Sequence, residues 1–368
     1  MADPTPATRE DLTSDPSAIG IWRHRTLLPP SRHTVTLGEG ETALLPLSVS
    51  TAPPGVKIHA KLESLNPTLS FKDRGMAVAS SWALDLGMRG LMLASTGNAA
   101  VSASAYAAAA GMECRIFCGT ESRAHQKLAA AAAHGAQVRL VDGDYSAAYA
   151  AAVGAESDGW FNVTTTYRNP ALAEAYRTIA VEIFEQLGRV PGVVIVPVGA
   201  GPLLRAVLAG FSDLVTAGLA HSVPRMIGVQ ALACAPLAHA WSQDNWRLAL
   251  AEAVPVSPTL AGAIADSLRG YEREGLLTLS AVKESRGTVV AVDEDSILAA
   301  THELARRGLL VEPAAAAALA ALGLVGVRDV ISDAHESQAH DVVLLLTGHG
   351  AKEPSATPTF EVPDGKRS

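Results

Sequence analysis

The sequence predicts an α/β protein built mainly from parallel sheets that are flanked by helices. Between about Ile19 and Glu353, short runs of β-branched and apolar residues alternate with longer stretches rich in alanine and leucine. The short runs are typical of buried strands, and the longer stretches are typical of the helices that connect parallel strands. Glycine or polar turns separate the two kinds of segment, as in repeated βα units.

Seven apolar runs are predicted to form the strands. They are Val56–Leu62, Gly90–Ala94, Glu113–Phe117, Gln137–Val141, Gly192–Val198, Arg225–Gln230 and Asp341–Leu346. The stretches Asn98–Gly111 and Pro202–Phe211 each follow one of these strands and are predicted to be helices. The alanine tracts Ala129–Ala133 and Ala314–Ala318 are interpreted as packed helices, because neighbouring leucines continue an apolar helical face. Ligands of such sheets bind at the carboxyl ends of the strands, so a functional site is expected in the turns there.

Composition and charge favour a small-molecule enzyme. The chain has 368 residues, a formal net charge of -8 and no run of lysine or arginine, so it lacks the basic footprint of a nucleic-acid-binding protein. No stretch of about 18 residues has the hydrophobicity of a membrane span. The first residues, Met1 to Pro16, do not resemble a secretory signal, and a cytoplasmic location is expected.

The three cysteines are predicted to be core residues. Cys114 and Cys118 have a spacing that is also found in metal and redox sites, but Cys234 stands alone and no second pair supplies the four ligands of a zinc site. We therefore expect no metal.

The first of four candidate segments is Asn66 to Gly75 (NPTLSFKDRG), a turn that leads into a helix predicted to begin near Asp73. Lys72 lies at the helix start beside Phe71, a partly apolar setting in which a lysine amine can lose its proton and form a Schiff base. A surface lysine on the first turn of a helix is the alternative interpretation of this segment.

The second segment lies between a predicted strand and a predicted helix and consists of Ser95, Thr96, Gly97, Asn98 and Ala99. The N–H groups and the positive dipole end of a helix start can bind a carboxylate, and the Asn98 amide can hydrogen-bond a ring oxygen. The same residue types also suit an ordinary helix cap.

The third segment ends a predicted buried strand and opens a helix with small residues, Val198, Gly199, Ala200, Gly201, Pro202 and Leu203. Small residues allow successive N–H groups to converge on a phosphate, although a bare tight turn has a similar sequence. The segment has neither the Walker pattern nor a full GxGxxG pattern, so it does not specify a nucleotide.

The fourth segment, Leu346 to Lys352 (LTGHGAK), also follows a predicted strand. Thr347 is expected to present its hydroxyl to the crevice at the strand ends. His349 and Lys352 are expected at its rim.

Together and in this order, the four segments resemble those of the threonine synthase family of pyridoxal 5'-phosphate (PLP) enzymes, in the tryptophan synthase β-like superfamily. The resemblance covers most of the chain, from residues 21–25 (IWRHR) and 37–42 (LGEGET) to Glu312-Pro313-Ala314 and the fourth segment. It implies a two-domain, fold type II enzyme that binds PLP in the cleft between the domains.

The resemblance also implies a role for each segment. Lys72 is the catalytic lysine that binds the cofactor as a Schiff base beside Phe71, and Asn98 contacts the ring hydroxyl of the cofactor. The third segment holds the cofactor phosphate, and the second holds the substrate carboxylate. Thr347 faces the pyridine nitrogen, where a neutral hydroxyl makes the ring a weaker electron sink and favours loss of a β or γ substituent over transamination.

Two positions depart from the family pattern. Ala99 replaces a threonine, and Leu172 replaces an arginine in the segment that begins at Asn169-Pro170. If that arginine binds the phosphate of O-phosphohomoserine, its loss removes a charge-assisted, bidentate contact. Pro202 also has no N–H to offer a phosphate. The cations that could compensate are Lys127, Arg168, Arg177 and Arg205.

The function expected from these observations is threonine-synthase-like elimination or replacement on an amino acid, with O-phosphohomoserine or a diverged compound as substrate. The alternatives are a serine/threonine dehydratase, a β-replacement synthase of the cysteine or cysteate synthase type, and a non-catalytic binding protein with the same fold. A nucleotide-binding dehydrogenase is disfavoured, because no full glycine pattern precedes an acidic residue at the usual separation.

The expected organisation is a large PLP-binding domain formed by residues 19–75 and 176–353, and a small domain, residues 76–175, that closes over the substrate. Residues 1–18 and 354–368 are rich in proline, threonine and charge and are predicted to be disordered tails. The family resemblance also implies a homodimer.

Overall fold

Two parallel-rich sheets form the framework of the protein. The structure, a computed structural model, describes residues 12, 14–120, 125–143, 145–156, 159–166, 169–252, 254–336 and 340–353. The strands of these residues are β1 (Leu44–Pro46), β2 (Lys57–Lys61), β3 (Gly90–Ala94), β4 (Glu113–Gly119), β5 (Gln137–Val141), β6 (Trp160–Asn162), β7 (Val193–Pro197), β8 (Arg225–Ala231), β9 (Thr288–Val292) and β10 (Asp341–Leu345).

The sheet order brings distant parts of the chain together. In the larger sheet the order is β1-β2-β10-β7-β8-β9, and in the smaller sheet it is β5-β4-β3-β6. Only the edge pair β1–β2 is antiparallel among the described strands. Strand β10 lies between β2 and β7, so the segment after it emerges at the carboxyl end of the large sheet. The predicted α/β architecture with mostly parallel strands is confirmed.

Helices cover both sheets. The α-helices of the described residues are α1 (Lys72–Asp85), α2 (Asn98–Ala109), α3 (His125–Ala133), α4 (Tyr145–Gly154), α5 (Pro170–Leu187), α6 (Pro202–Thr216), α7 (Pro236–Trp241), α8 (Trp246–Ala249), α9 (Glu272–Glu284), α10 (Glu294–Ala305), α11 (Pro313–Ala320) and α12 (Val325–Glu336). Short 3-10 helices lie at Gly20–Leu27, Glu63–Leu65, Leu232–Cys234, Gly262–Ile264, Ala321–Gly323 and Gly350–Lys352. Proline opens α5, α6, α7 and α11, where the missing N–H has no partner inside the helix to lose.

All seven predicted strands are present, with ends that differ by at most two residues. Three further strands were missed, namely β1, β6 and β9. The first two have only three residues each, too short for a periodic pattern to be recognised. Strand β9 (TVVAV) has a suitable apolar composition, so the sequence contained the signal that would have predicted it.

Small side chains allow close packing in the centre of the molecule. Residues Pro313–Leu319 of the alanine-rich helix α11 are all buried in the core beneath the large sheet. Cys114, Cys118 and Cys234 are buried and form no disulfide, in agreement with their prediction as core residues.

The smaller sheet lies wholly within the span predicted for the small domain, since its four strands fall between Gly90 and Asn162. The division into two domains remains a prediction. The predicted loose N-terminal segment ends earlier than expected: Leu12 is buried in the core, and the Asp15 N–H donates to the Arg23 carbonyl oxygen. The predicted C-terminal tail, 354–368, lies outside the described residues.

Among the described helices, none is alone long and apolar enough to span a membrane. One bent pair, Pro313–Gly323 with Val325–His335, reaches the necessary length and composition only when its two members are taken together.

A buried ionic network attaches helix α1 to the large sheet. The guanidinium of Arg74 is fully buried and donates to Glu63 Oε1 at 2.7 Å and to Glu182 Oε1 at 2.5 Å. Lys61 Nζ donates to Glu182 Oε2 at 2.6 Å. Two cations and two carboxylates therefore neutralise one another in a buried region, a balance that makes each member costly to remove.

Replacement of Arg74 by methionine should lower the free energy of unfolding by about 3–5 kcal/mol, because Glu63 and Glu182 would be left as uncompensated buried charges. Urea denaturation measures the change. The matched control is Arg32→Met, which removes an arginine whose side chain is 81% exposed and should change stability by less than about 0.5 kcal/mol. Equal effects of the two substitutions would contradict the role of the network.

Candidate active site

Lys72 is the first residue of α1 and lies at the centre of the candidate site. Its Nζ atom lies 4.5 Å from the centroid of the Phe71 ring, which in turn makes an edge contact with Tyr176. Burial in this apolar setting lowers the pKa of Lys72 to about 8, and the carboxylate of Asp266 opposes the shift. The amine is thus readily available in its neutral, nucleophilic form.

The segment after β10 crosses the segment that precedes Lys72. The Phe71 N–H donates to the Thr347 carbonyl oxygen at 3.2 Å, and Ser70 pairs with Gly348 in an isolated bridge. Leu69 has a φ of 66°, in the left-handed region that branched side chains rarely adopt. These contacts place Thr347, which is buried, beside the start of α1.

Asn98 is the first residue of α2 and lies close to Gly348. Its Nδ2 atom donates to Glu312 Oε2 at 2.8 Å, while its buried Oδ1 atom has no hydrogen-bond partner among the described residues. A Cβ atom on Gly348 would collide with the Glu312 carboxylate and lie 3.3 Å from Asn98 Nδ2. The absence of a side chain at position 348 therefore allows Asn98 and Glu312 to meet.

Glu312 is a site residue to which the sequence analysis gave no role. Its carboxylate is buried and lies 3.0 Å from Lys127 Nζ, on helix α3, and 4.0 Å from Lys352 Nζ. Lys352 Nζ also donates to the Thr68 carbonyl oxygen at 2.9 Å. His349, expected at the rim, accepts a hydrogen bond from the Ala351 N–H through its side chain and caps the last short helix.

The third segment, Val198–Leu203, is the predicted phosphate cradle, and it forms a tight turn at the start of α6. Gly201 has a φ of 89° and caps the start of α6, and a Cβ atom there would overlap Thr278. Thr278 donates to the Ala200 carbonyl oxygen at 2.6 Å, and Gln230 Nε2 donates to the Gly199 carbonyl oxygen at 3.2 Å. These two hydrogen bonds hold the carbonyl groups of Gly199 and Ala200 in place and so fix the shape of the segment. The segment lies at the start of a helix, a position at which anions bind.

Asp266 is a second residue that the sequence analysis missed. It lies just after the short helix Gly262–Ile264, and its Cβ atom is 3.0 Å from the point where Gly199 would carry a Cβ atom. The hydroxyl of Tyr271 donates to Asp266 Oδ1 at 2.6 Å. No motif marked this segment, because its nearness to Lys72 and Gly199 follows only from the folded chain.

The predicted substrate segment forms the turn between β3 and α2. The Gly97 N–H donates to Ser95 Oγ at 3.2 Å, and the Ser95 N–H donates to the Phe117 carbonyl oxygen at 3.2 Å. Gly97 is the residue that precedes α2, and a Cβ atom there would meet nothing within 4 Å. The turn is thus fixed at Ser95 and open at Gly97, next to the first N–H groups of a twelve-residue helix.

Of the four cations suggested as partners for a substrate phosphate, two are paired with carboxylates. Lys127 pairs with Glu312, and Arg177 pairs with Asp213 and Glu174. Arg205 and Arg177 line a cavity of about 130 Å³ between α5 and α6. Arg168 lies outside the described residues.

Leu172, at the position of the family arginine, is buried in the core beside Gly75 of α1. An apolar contact thus occupies the place where a phosphate-binding cation was expected.

The arrangement fits PLP, the cofactor that the motifs imply. Lys72 has a buried amine that could hold the cofactor, and the third segment lies at the first N–H groups of α6, where a phosphate would fit. Asn98 carries a buried polar atom without a partner, which fits a polar ligand group. Among the described residues no group of three or more histidine, cysteine or acidic side chains is arranged to hold a metal ion. The individual cofactor and substrate contacts remain predictions.

The rate at which PLP reacts with the cofactor-free protein should rise with pH through about 8 and level off above it. A lowered pKa means that the neutral amine becomes dominant at lower pH, so about one-tenth of Lys72 is neutral at pH 7, against roughly one part in 2,500 for an ordinary lysine. Growth of the visible absorbance of the bound cofactor measures the rate. Lys72→Ala is the control and should show no such absorbance, whereas an unchanged profile in that variant would exclude Lys72.

Gly348→Ala should weaken PLP binding by about tenfold or more, because the new methyl group would displace Glu312 from Asn98. Titration of the visible absorbance gives the affinity. The matched control is Gly326→Ala in α12, where a Cβ atom meets nothing within 4 Å and the substitution should leave the affinity unchanged. Normal affinity in both variants would show that the Asn98–Glu312 contact does not support the cofactor.

Comparisons with known proteins identify the family of this chain. Residues 35–348 match the family model described as pyridoxal-phosphate dependent enzyme. The chain is 36% identical over 355 residues to the threonine synthase of Mycobacterium bovis. The aligned region covers 96% of this chain and 92% of that protein.

Two solved structures show the same fold. One is a fungal L-serine ammonia-lyase from Rhizomucor miehei, with a TM-score of 0.66, 23% identity, and coverage of 86% of this chain and 95% of that chain. The other is maize serine racemase, with a TM-score of 0.68, 20% identity, and coverage of 85% and 89%. The fold is therefore that of the tryptophan synthase β-like, fold type II enzymes. The family match and the identity to threonine synthases confirm the cofactor and the resemblance: this chain belongs to the threonine synthase family of PLP-dependent enzymes and is a lyase.

Proposed function

We propose that the protein catalyses elimination or replacement at the β- or γ-carbon of an L-amino acid, by chemistry of the threonine synthase type. The observation that carries the proposal is the buried amine of Lys72, which has a pKa of about 8 and is influenced by the carboxylate of Asp266. The residue before it, Phe71, is hydrogen-bonded to Thr347 at the carboxyl end of the large sheet. When bound, PLP serves as an electron sink for bonds broken at the α-carbon of the substrate.

Lys72 is the proposed general base. An amine with a pKa of about 8 is neutral in about one-tenth of the molecules at pH 7 and can then accept the α-proton of a substrate, whereas an ordinary lysine is almost entirely protonated. The same Nζ atom can later return the proton to the product. The Phe71 ring at 4.5 Å stabilises the protonated state that exists between these two transfers.

The turn Ser95–Ala99 is the proposed seat of the substrate carboxylate. It precedes α2, whose first N–H groups and dipole favour a negative charge. Binding the carboxylate there would orient the α-carbon toward the crevice that contains Lys72. The smaller sheet and its helices belong to the predicted small domain. Closure of this domain over the substrate would exclude water from the proton transfer.

Three related activities share these residues and differ in the leaving group and the acceptor. A threonine synthase releases phosphate from O-phosphohomoserine, a dehydratase releases a 2-oxo acid from serine or threonine, and a β-replacement synthase adds a new nucleophile. The identity to threonine synthases supports the first activity. The buried Leu172 supports a substrate that has diverged from it.

The PLP-loaded protein should convert at least one L-amino acid that carries a leaving group on its β- or γ-carbon. We would incubate it with O-phosphohomoserine, homoserine, serine, threonine and O-acetylserine, and measure phosphate, threonine, ammonia and 2-oxo acids. Lys72→Ala should lower turnover by about 10³-fold or more, because it removes the base. Racemisation or transamination without loss of any substituent would contradict the proposal.

A further inference from the structure

The buried carboxylate of Glu312 is attached firmly to the large sheet. Glu312 is the residue before α11, a helix that packs on β7, β8 and β10. Its backbone N–H donates to the Gly348 carbonyl oxygen at 3.0 Å, in the segment that follows β10. The carboxylate therefore belongs to the large sheet's side of the candidate site, through both its helix and its backbone.

Two helices of the smaller sheet reach this one carboxylate. Asn98, the first residue of α2, donates from Nδ2 to Glu312 Oε2 at 2.8 Å, and Lys127 of α3 places its Nζ atom 3.0 Å from Glu312 Oε1. All three side chains are buried. Helix α2 packs on β3 and β4, and α3 packs on α2 and β5. Both contacts therefore cross from the smaller sheet's helices to the large sheet's side.

Lys127 also meets a second carboxylate of the large sheet's side. Its Nζ atom lies 2.5 Å from Oε1 of Glu353, in the segment that follows β10. Burial disfavours a charged amine, but Glu312 and Glu353 together outweigh burial and raise the pKa of Lys127. The ammonium group thus stays charged, and its attraction to the two carboxylates draws α3 toward the large sheet.

An ionic contact of this kind suits a closure that must be reversible. Burying an ion pair removes both charges from water, and this desolvation cost offsets much of the attraction between them. Opening would return Glu312 and Lys127 to water, so it costs less than separation of a well-packed apolar contact of similar size. The contact therefore favours the closed position without making it permanent.

Asn98 belongs to the turn Ser95–Ala99, the proposed seat of the substrate carboxylate, so the inference rests on the proposed function. We propose that Glu312 is a positioning residue that holds this turn over the cleft through Asn98 and Lys127. Release of the two contacts opens the cleft. Lys127 is a second positioning residue, which acts through Glu312.

Hydrogen–deuterium exchange of the PLP-loaded protein tests the contact without any substrate. Backbone amides of α2 and α3 should exchange about tenfold faster in Lys127→Met and in Glu312→Gln, because helices that are held less firmly open locally at lower cost. Helix α6, on the large sheet's side, should exchange at the wild-type rate. Lys127→Arg keeps the positive charge and should restore most of the protection.

Further variants separate this contact from a general loss of stability. Lys352 lies 4.0 Å from the same Glu312 carboxylate but belongs to the large sheet's side, so Lys352→Met should affect α2 and α3 far less than Lys127→Met does. The double variant Lys127→Met/Glu312→Gln should exchange more slowly than the product of the two single effects predicts, because both substitutions break one contact. Lys283→Met, at an exposed position of α9, controls for the loss of a charge and should leave exchange unchanged.

Glycine and methylamine test whether the contact positions the carboxylate seat. Both compounds carry an amino group, but of the two only glycine has a carboxylate. Titration of the visible cofactor absorbance gives their dissociation constants with each PLP-loaded protein. In Lys127→Met the affinity for glycine should fall by about five- to tenfold while the affinity for methylamine stays unchanged, because a seat that is in place for a smaller fraction of the time binds less tightly in proportion.

The outcomes distinguish this inference from the proposed function. Unchanged exchange of α2 and α3 in both single variants, equal effects of Lys127→Met and Lys352→Met, or a double variant that shows the full product overturns the inference. If the wild type binds glycine no better than methylamine, the carboxylate seat of the proposed function fails, whereas faster exchange in the variants would still support Glu312 as the residue that holds α2 and α3. If Glu312→Gln does not fold, the three lysine variants Lys127→Met, Lys127→Arg and Lys352→Met still decide the question.

Discussion

The buried pairing of Arg74 with Glu63 and Glu182 is the interaction on which the site depends most directly. Arg74 is the third residue of α1, and Lys72 is the first, so whatever holds the guanidinium also sets the position of the lysine. Glu63 comes from the turn after β2 and Glu182 from the middle of α5. One side chain therefore joins the large sheet, a covering helix and the helix that carries the catalytic amine. The nearby cations hold the pKa of Glu182 well below its usual range.

The first turn of α1 contains two cations in opposite electrostatic surroundings. Arg74 is surrounded by carboxylates and keeps its charge, whereas Lys72 has an apolar ring beside it and, among the described residues, the carboxylate of Asp266 as its charged neighbour. Guanidinium groups do not lose their proton in proteins, while amines do so readily when desolvated. The choice of arginine for the structural position and of lysine for the reactive position follows from this difference, and the two residues are not interchangeable.

The parts of the fold that the sequence predicted are those with a strong local signal. The five-residue strands Gly90–Ala94 and Gln137–Val141 were located to the residue, because glycine, polar or charged residues mark both of their ends. The family resemblance identified the cofactor, which the family match confirms, whereas the role of Lys72 stays a prediction. The homodimer, the cytoplasmic location and the individual ligand contacts stay predictions.

The parts that could not be predicted depend on contacts between segments far apart in the chain. Asp266 has no motif around it, and its nearness to Gly199 follows only from the folded chain. Glu312 belongs to the Glu312-Pro313-Ala314 segment of the family resemblance, but nothing in the sequence indicated that it would contact Asn98 and Lys127. Leu172 departs from the family pattern, which has an arginine at this position. Its burial in the core depends on the packing of α5 on α1, which the sequence does not reveal.

The segment after β10 crosses the segment before α1, and this crossing affects the order in which the protein folds. Thr347 and Gly348 belong to the last described turn of the chain, and their partners Phe71 and Ser70 belong to its first fifth. During synthesis, the strands of the smaller sheet and β7 to β9 all emerge before β10 can enter its place between β2 and β7. Contacts between such distant segments close slowly, since the loop entropy must be paid before they form. The surroundings of Lys72 are therefore complete only after β10 has taken its place in the large sheet, so a copy of the chain that ends before β10 lacks one side of the candidate site.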